Sequence, residues 1–300
     1  MKTIKTLLAS YNGEKYIEEQ IQSILNQEGV LVDLIINDDS SKDRTVALVK
    51  EKFPELKVKI NTPATGSAAN NFLKMITEID FNEDFHFVAF ADQDDIWLPQ
   101  KLSAAVEKLE AENAALYCSN LTKWDMQNNS FFLLKKDYPQ KKYDFLFEGG
   151  SAGCTYVFTK NLAQQLKAFI PTVDSSCWEE FSHDWLVYFF ARSRGFKVCI
   201  DGNSYIHYRL HNNNVHGHLN QLSFSTIKYK IGKVLRGYHK KHIENYIKYI
   251  EPGSDYYKIY RAFLGSYFQR NKMILKYNTQ LMRDTKKFYL FLLLNLFRFK

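Results

Sequence analysis

The feature that most constrains this fold is the regular alternation, over the first 120 residues, of short apolar runs with longer segments of helical periodicity. Parallel strands need a crossover of a dozen or more residues between them, which is usually a helix. The alternation therefore predicts an α/β fold with a mixed, mainly parallel sheet flanked by helices. The apolar runs predict strands at 4–9, 31–36, 58–60, 85–91 and 115–119, and the segments between them predict helices at 16–25, 46–53, 68–79 and 101–112.

The charge of the 300-residue chain changes sign near residue 220. The net charge is +7, yet residues 221–300 alone hold 17 basic and 4 acidic side chains, together with ten of the 19 tyrosines. The residues before this point therefore carry an excess of acidic groups. This shift predicts a main domain at 1–220 and a basic, tyrosine-rich helical extension at 221–300.

The extension has three interpretations. It packs on the main domain as a helical hairpin, it binds nucleic acid, or it rests on a membrane. The acidic main domain and the lack of a nucleic-acid-binding motif count against the second, so we expect no nucleic acid partner. An anionic membrane surface accounts for more features of the extension than the other two interpretations. Lysines and arginines would meet head groups, tyrosines would lie at the interface, and the apolar stretch at 288–297 would dip beneath it. That stretch is too short to span a bilayer, which takes about 20 helical residues.

Several common chemistries are poorly supported. The chain contains neither Gly-x-x-x-x-Gly-Lys-Ser/Thr nor Gly-x-Gly-x-x-Gly, which argues against a P-loop phosphotransferase and an ordinary dinucleotide-binding enzyme. Its four cysteines form no Cys-x-x-Cys pair, and reduced buried thiols are the simplest interpretation. Four histidines at 207–218 allow a zinc site, although no cysteine lies nearby. A histidine that serves a divalent cation and polar loop histidines are the other interpretations.

Polar clusters follow three of the predicted strands, at the points where they end. Ser10-Tyr-Asn-Gly follows the first strand, Asp38-Asp-Ser the second, and Asp92-Gln-Asp-Asp the strand at 85–91. In a parallel sheet such strand ends meet at one edge, where ligands bind. Three carboxylates within four residues repel one another unless a cation lies among them, and Mg²⁺ or Mn²⁺ takes such oxygen ligands. The alternative is a solvated acidic turn ahead of the helix at 101–112.

Taken together, these segments resemble the successive motifs of the family 2 inverting glycosyltransferases with the GT-A fold. The resemblance covers roughly residues 3–217. A further stretch, Tyr208-Arg-Leu-His, is similar to the one that closes the catalytic domain in the bacterial rhamnosyltransferase branch. The Gln-x-x-Arg-Trp motif of processive members is absent, so repeated addition is not supported. The motifs that carry the resemblance are Ser10-Tyr-Asn-Gly, Asp38-Asp-Ser-Ser-Lys-Asp-Arg-Thr, Phe90-Ala-Asp-Gln-Asp-Asp-Ile-Trp-Leu-Pro and His183-Asp-Trp.

The resemblance implies a role for each matching position. Asp184 would be the general base, and the start of a predicted helix would keep it ionised. A simple N-terminal cap is the alternative role for this aspartate. The implied donor-binding residues are Ser10, Tyr11, Asn12, Asp38, Asp39, Asp92 and Arg209. The implied metal ligands are Asp92, Asp94 and His211.

The activity that the resemblance implies is transfer of one sugar, with inversion, from a nucleotide diphosphate to a growing cell-surface glycan on a lipid carrier. The expected donor is dTDP-rhamnose, with a UDP-hexose as the nearest competitor, and the expected cofactor is Mn²⁺ or Mg²⁺. The enzyme is then expected in the cytoplasm, peripheral at the inner face of the cell membrane. The alternative from a different class is a sugar-nucleotide-binding or scaffold protein that keeps the fold without turnover.

Overall fold

The computed structural model of the protein describes residues 1–210 and 224–297. Its strands are β1 (Lys2–Ser10), β2 (Val30–Asp38), β3 (Val58–Ile60), β4 (Phe87–Asp92), β5 (Ile96–Trp97), β6 (Leu116–Asp125), β7 (Ser130–Leu134), β8 (Val157–Thr159) and β9 (Val198–Leu210). Its helices are α1 (Ile17–Leu25), α2 (Thr45–Lys52), α3 (Ala68–Glu78), α4 (Lys101–Glu112), α5 (Lys160–Phe169), α6 (His183–Ser193), α7 (Phe224–Leu235), α8 (Tyr238–Tyr246), α9 (Asp255–Leu264), α10 (Tyr267–Tyr277) and α11 (Thr285–Leu296).

The strands form one mixed sheet in the order β3-β2-β1-β4-β8-β6-β9-β5, with β7 beside β6. The first four strands of this order run parallel, whereas β8 runs antiparallel to both of its neighbours. Beyond β8, β6 and β9 are parallel again. The predicted α/β class with a mixed sheet is confirmed, and the parallel half is the part whose alternation indicated it.

The register of the parallel half brings the predicted polar clusters to one edge. Ser10 at the end of β1 lies opposite Asp38 at the end of β2. On the other side of β1, Ala9 lies opposite Asp92 at the end of β4. The clusters that follow these three strands are therefore neighbours.

Helices cover the parallel half, and its central strands β1 and β4 are largely buried. In β4 every residue from Phe87 to Ala91 is buried, which explains the uninterrupted apolar run in the sequence. Helix α1 buries Ile17, Ile21 and Ile24, whose spacing places them on one helix face. Burying each such aliphatic side chain stabilises the fold by roughly 1.5–3 kcal/mol. The polar residues at the strand ends are thus held in place by a well-packed core.

The second half of the sheet differs from the prediction. The apolar run at 197–200 predicts a short strand ahead of the histidine-rich stretch at 207–218. In the structure β9 continues to Leu210, pairs with β6 and shows register shifts opposite Ser119 and Asn120. Pairing with a buried neighbour overrides the weak strand propensity of these residues. The same region adds β7, which the sequence does not predict.

The chain divides into two compact units. The sheet belongs to the first, and the predicted boundary near residue 220 lies outside the described residues. The first unit comprises Met1–Asp137, Gly150–Asp174 and Ser182–Asn212, and the second comprises Tyr138–Gly149, Ser175–Phe181 and Asn213–Lys300.

A buried ionic cluster ties part of the second unit together. Glu148 accepts hydrogen bonds of 2.7 Å from the backbone N–H of Arg283 and from Nζ of Lys287. Burial raises the pKa of Glu148, but the charges of Lys287 and Arg283 outweigh it and hold that pKa at about 2. Residues 138–149 are thereby fastened to the region around α11. In the part of the chain that the structure describes, we find no helix with the length and apolar character needed to cross a membrane.

Candidate functional site

The loop after β1 is held against the loop after β2 by the Asp38 side chain. Asp38 is fully buried, and it accepts hydrogen bonds from Ser10 Oγ at 2.8 Å and from Ser41 N and Oγ at 2.7 and 2.6 Å. The Asp38 carboxylate is thus engaged in hydrogen bonds within the protein. Asp38 and Ser10 are predicted to bind the donor, and in the structure their side chains hold the loops after β1 and β2 together.

Asp39, the next residue, holds a different loop. Its Oδ1 accepts hydrogen bonds from Asn61 Nδ2 at 2.9 Å and Thr65 N at 2.6 Å, and its Oδ2 accepts one from Gly66 N at 2.9 Å. Burial alone would raise the pKa of Asp39, but hydrogen bonds from Thr65, Asn61 and Gly66 outweigh burial and hold it below its usual value. Asp39 is therefore a fixed, ionised acceptor.

Tyr11 and Asn12 lie in the loop that follows β1, at the same edge of the sheet. The backbone N–H of Tyr11 donates to Gln93 Oε1 at 2.8 Å, and Gln93 Nε2 donates to the Tyr11 carbonyl at 2.9 Å. Asn12 has a positive φ of 49°, and its Oδ1 accepts from the Lys42 backbone N–H at 2.8 Å. The loop after β1 is thereby joined to the acidic loop 92–95, while the Tyr11 side chain stays exposed.

The acidic loop brings the carboxyl groups of Asp92, Asp94 and Asp95 close enough to interact electrostatically. Burial, followed by the charges of Asp94 and Asp184, raises the pKa of Asp92 to about 7. Burial and the charges of Asp94 and Asp92 raise the pKa of Asp95 well above its usual value. One ligand atom from each of Asp92, Asp95 and Cys154 lies within 4.8 Å of the others. The sequence did not distinguish Asp95 from its neighbours, and nothing in it indicated Cys154.

This donor set fits a hard divalent cation. The carboxyl groups repel one another in a poorly solvated place, and a cation would remove that repulsion. Hard cations take oxygen ligands and thiolates suit softer metals, so within this set the carboxyl groups of Asp92 and Asp95 are the ligands that fit. Asp92 and Asp94 remain the predicted ligands, and Asp95 joins them as a neighbour. His211, the third predicted ligand, lies outside the described residues.

Asp184 lies in the first turn of α6. The N-cap of this helix is Ser182, whose side chain accepts a hydrogen bond from the Trp185 backbone N–H. Burial raises the pKa of Asp184 to about 6, against the lowering effects of the Trp185 N–H and the nearby Lys136. Because Asp184 in turn raises the pKa of Asp92, the two carboxyl groups share one electrostatic environment.

Arg209 packs beneath the acidic loop. Its guanidinium is only 2% exposed and donates from Nε to the Asp94 carbonyl at 3.0 Å and from Nη2 to Glu19 Oε2 at 2.6 Å. The same group lies over the rings of Tyr16 and Trp124, with its Cζ 4.7 and 4.9 Å from their centroids. The structure places Arg209 against the main chain of the loop, and its contact with a diphosphate stays a prediction.

Lys101 is a further cation at the site. It begins α4, is buried, and holds its Nζ 3.5 Å from the centroid of the Trp97 ring. Burial lowers the pKa of Lys101 to about 7, while Cys154 and Asp95 act to raise it. The available sequence signal was a lysine in the first turn of a helix, where the helix dipole disfavours a cation unless a specific partner compensates.

Comparisons with known proteins identify relatives of this chain. The Glycosyl transferase family 2 model matches residues 7–162. The dTDP-rhamnosyl transferase RfbG of Shigella flexneri is 33% identical over 240 residues, which cover 79% of this chain and 82% of that protein. The glucosyltransferase WfgD of Escherichia coli, named as acting from UDP-Glc on α-D-GlcNAc-diphosphoundecaprenol, is 30% identical over 182 residues, 58% of this chain and 68% of that protein.

Solved structures share the fold. Residues 1–349 of TarS from S. aureus in complex with UDP-GlcNAc superpose with a TM-score of 0.60 at 13% identity, over 94% of this chain and 82% of that chain. The mannosyltransferase PcManGT of Pyrobaculum calidifontis, in complex with GDP-Man and Mn²⁺, gives a TM-score of 0.55 at 15% identity, over 92% and 73%. These likenesses confirm the predicted GT-A fold. The extent of the family match and the identity to RfbG show that the chain is a glycosyltransferase and belongs to glycosyl transferase family 2.

Proposed function

We propose that the protein transfers a single sugar, with inversion, from a nucleotide diphosphate to a growing glycan. The observation that carries this proposal is the shared electrostatic environment of Asp92, which ends β4, and Asp184, which lies in the first turn of α6. A base for the acceptor hydroxyl and an acidic site for the leaving diphosphate are the two groups that such a transfer needs.

In this proposal Asp184 accepts the proton of the acceptor hydroxyl as the oxygen attacks the anomeric carbon. Its pKa of about 6 leaves most of the carboxyl group ionised at neutral pH, yet makes it more basic than an exposed aspartate. Asp92 and Asp94, with Asp95 beside them, would hold Mn²⁺ or Mg²⁺. When bound, that cation would neutralise charge on the departing diphosphate. Arg209 fixes the main chain of the loop that presents these carboxylates.

The proposed donor is dTDP-rhamnose, with a UDP-hexose as the competitor. The identity to a dTDP-rhamnosyl transferase supports the first, and the identity to a UDP-Glc-dependent enzyme supports the second. The acceptor class is proposed as a lipid-linked oligosaccharide of the cell surface, which the name of WfgD supports. The absence of the processive motif favours one addition for each acceptor.

We also propose that the basic extension attaches the enzyme to the anionic inner face of the cell membrane. The surface concerned, here called the α10–α11 face, combines exposed apolar side chains with lysines. On α10, Phe268, Lys272, Leu275 and Lys276 recur at the spacing of one exposed helix face. The exposed large apolar residues of the α10–α11 face are Phe268, Leu275, Tyr289, Leu290, Leu293, Leu296 and Phe297.

A hydrogen bond brings the two helices together at one end. The Tyr267 hydroxyl, at the start of α10, donates to the Leu296 carbonyl at 3.0 Å, at the end of α11. Two strongly exposed aromatics, Phe268 and Phe297, directly follow these residues in the sequence. Aromatic and aliphatic side chains bordered by lysines suit the boundary between lipid head groups and acyl chains.

A transfer assay tests the function. Purified protein with Mn²⁺ is given labelled dTDP-rhamnose, UDP-glucose or UDP-GlcNAc, together with a synthetic GlcNAc-diphospholipid acceptor. We expect one sugar to be added from one of these donors, with the anomeric configuration opposite to that of the donor. Product with retained configuration would contradict the inverting mechanism. Nucleotide binding without transfer or hydrolysis of any donor would favour the alternative of an inactive binding protein.

A further inference from the structure

A glutamine of the acidic loop holds the main chain of the loop after β1. Gln93 stands between Asp92 and Asp94 in the sequence. The Tyr11 N–H donates to Gln93 Oε1 at 2.8 Å, and Gln93 Nε2 donates to the Tyr11 carbonyl at 2.9 Å. Two hydrogen bonds made by one planar amide fix both the distance and the orientation between these two loops.

The glycine at residue 13 makes room for the same amide. A Cβ atom on Gly13 would overlap Gln93 Oε1, well inside the 3.0 Å below which real Cβ atoms essentially never approach another atom. The backbone of Gly13 lies outside the left-handed region of φ, so its conformation does not itself require a glycine. The missing side chain is therefore explained by the space that Gln93 occupies.

The loop after β1 has a second attachment, to the residues that follow β2. The Asn12 N–H donates to Ser41 Oγ at 2.8 Å. The Gly13 N–H donates to Thr45 Oγ1 at 2.7 Å. The loop after β1 is thus held by the segment after β2 and by the acidic loop, and Gln93 makes the second of these connections.

A cation in the acidic loop would act on this connection. The carboxyl groups of Asp92, Asp94 and Asp95 repel one another, and a bound cation would draw them together. Gln93 belongs to the same four-residue segment, so its amide moves with these carboxyl groups. Because the amide is bonded to Tyr11, the position that the cation sets for the acidic loop is passed on to the loop after β1. Two sites joined in this way change each other's affinity by the same factor.

We infer that Gln93 is a positioning residue that couples cation binding at the acidic loop to nucleoside binding by the loop after β1, and that Gly13 lacks a side chain to permit this coupling. The inference rests on the proposed function, because it takes the acidic loop as the cation site and residues 10–12 as part of the nucleoside site. It goes beyond that function by assigning a role to two residues whose side-chain positions need not touch cation or nucleotide.

The test measures the affinity of the full chain for thymidine, with and without Mg²⁺, by ligand-detected NMR. Thymidine carries no phosphate, so the cation cannot tighten its binding through a diphosphate. We expect Mg²⁺ to lower the wild-type dissociation constant for thymidine about fivefold or more, as is usual for coupled sites. Gln93→Met keeps the length of the side chain but removes both hydrogen bonds to Tyr11. Gly13→Ala keeps Gln93 but displaces its amide.

In each variant the effect of Mg²⁺ on thymidine affinity should fall below about twofold. The double variant, Gln93→Met with Gly13→Ala, should lose no more than either single variant, because both changes remove one connection. Binding of Mn²⁺ alone, followed by the EPR signal of the free ion, should stay within about twofold of wild type, since every carboxyl group remains. A structural role alone would lower the melting temperature and leave the effect of Mg²⁺ unchanged.

Each single variant has a matched control. Gln22→Met removes an exposed glutamine of α1. Gly265→Ala creates the same kind of overlap, because a Cβ there would meet Oε1 of Gln269 at the start of α10. Both controls should keep the full effect of Mg²⁺ on thymidine affinity.

Three results would overturn the inference. They are a wild-type protein that binds dTDP but whose thymidine affinity does not respond to Mg²⁺, absence of thymidine binding included; a full effect of Mg²⁺ in folded Gln93→Met; and loss of Mn²⁺ binding itself in that variant. If Gln93→Met fails to fold, Gly13→Ala and the wild-type response to Mg²⁺ decide the matter. An additive loss in the double variant would overturn the role assigned to Gly13. Wild-type protein that binds no dTDP in the presence of Mg²⁺ would instead contradict the proposed function.

Discussion

The Oδ1 atom of Asp184 accepts a hydrogen bond of 2.6 Å from the backbone N–H of Trp185. This N–H also lies 3.4 Å from Ser182 Oγ, and Ser182 has the N-cap position of α6. Ser182 and Asp184 therefore share this N–H, with Asp184 at the shorter distance. The helix N-terminus supplies Asp184 with a donor that favours its ionised form.

Asp184→Asn is expected to lower kcat by at least about 10²-fold while leaving the dissociation constant for UDP with Mn²⁺ nearly unchanged. The amide keeps the size of the side chain but cannot take a proton at neutral pH. The matched control is Asp284→Asn, because Asp284 caps α11 and accepts from the Lys286 N–H. It should keep full transfer activity. Full activity in Asp184→Asn would exclude this residue as the base.

The rate of transfer should rise with pH through about 6. Burial raises the pKa of Asp184 from 3.8 to about 6, so the ionised base is present above that value and is lost about tenfold per pH unit below it. Measured at saturating donor and acceptor, kcat should show this acid limb. UDP binding followed over the same pH range serves as the reference, and a kcat that is flat down to pH 4.5 would contradict the assignment.

Asp94→Ala should abolish the part of UDP binding that depends on Mn²⁺. Without this carboxylate the predicted cation site loses one of its carboxylate ligands, and the diphosphate loses its counter-charge. Titration calorimetry of UDP with Mn²⁺ and with EDTA measures the difference. Glu107→Ala, an exposed acidic residue of α4, is the control. Full transfer activity of wild type in EDTA would contradict the metal prediction.

Glu148→Gln is expected to destabilise the protein by about 1–3 kcal/mol, because the buried Arg283 keeps Asp144 but loses the closer of these two carboxylate partners. The pKa of Glu148 is lowered from 4.5 to about 2, so its contribution to stability is complete above pH 4.5 and is lost as the pH falls towards 2. Urea unfolding at pH 7 and pH 3 measures both effects. The exposed Glu251→Gln should change neither, and equal stability of wild type and Glu148→Gln at pH 7 would contradict this account.

The double variant Phe268→Ser with Phe297→Ser should lose the salt-resistant part of its attachment to phosphatidylglycerol vesicles. Lysines contribute about 1 kcal/mol each near such a surface, so the remaining attachment should disappear at high salt. Vesicle flotation at low and high salt is the measurement. Leu31→Ser, which changes a half-exposed apolar residue of β2, is the control. Wild type that ignores anionic vesicles even at low salt would instead point to contact between copies of the chain.

The sequence predicts the parallel half of the fold well, because each strand and helix there has its own periodicity. It also indicates Asp38, Asp39 and the acidic loop, since strand ends of a parallel sheet converge. Lys101 and Cys154 escape prediction for the opposite reason. They come close only when α4 and the turn at 153–155 pack beside the acidic loop, and nothing in their local sequence distinguishes a buried cation or thiol at an active site from one in an ordinary core.

The pairing of β6 with β9 has a consequence for the order in which the enzyme is assembled. Leu116 pairs with Val198, whereas β1 and β2, like β2 and β3, are joined by a single helical crossover. Long loops are slow to close. The parallel half of the sheet, with Asp39 and Asn61, is therefore able to form while the later chain is still being synthesised. Asp184 and Arg209 come late in the chain, and β9 must dock before the site is complete. A nascent chain would therefore acquire the residues proposed to bind the nucleotide before it acquires Asp184, the proposed base.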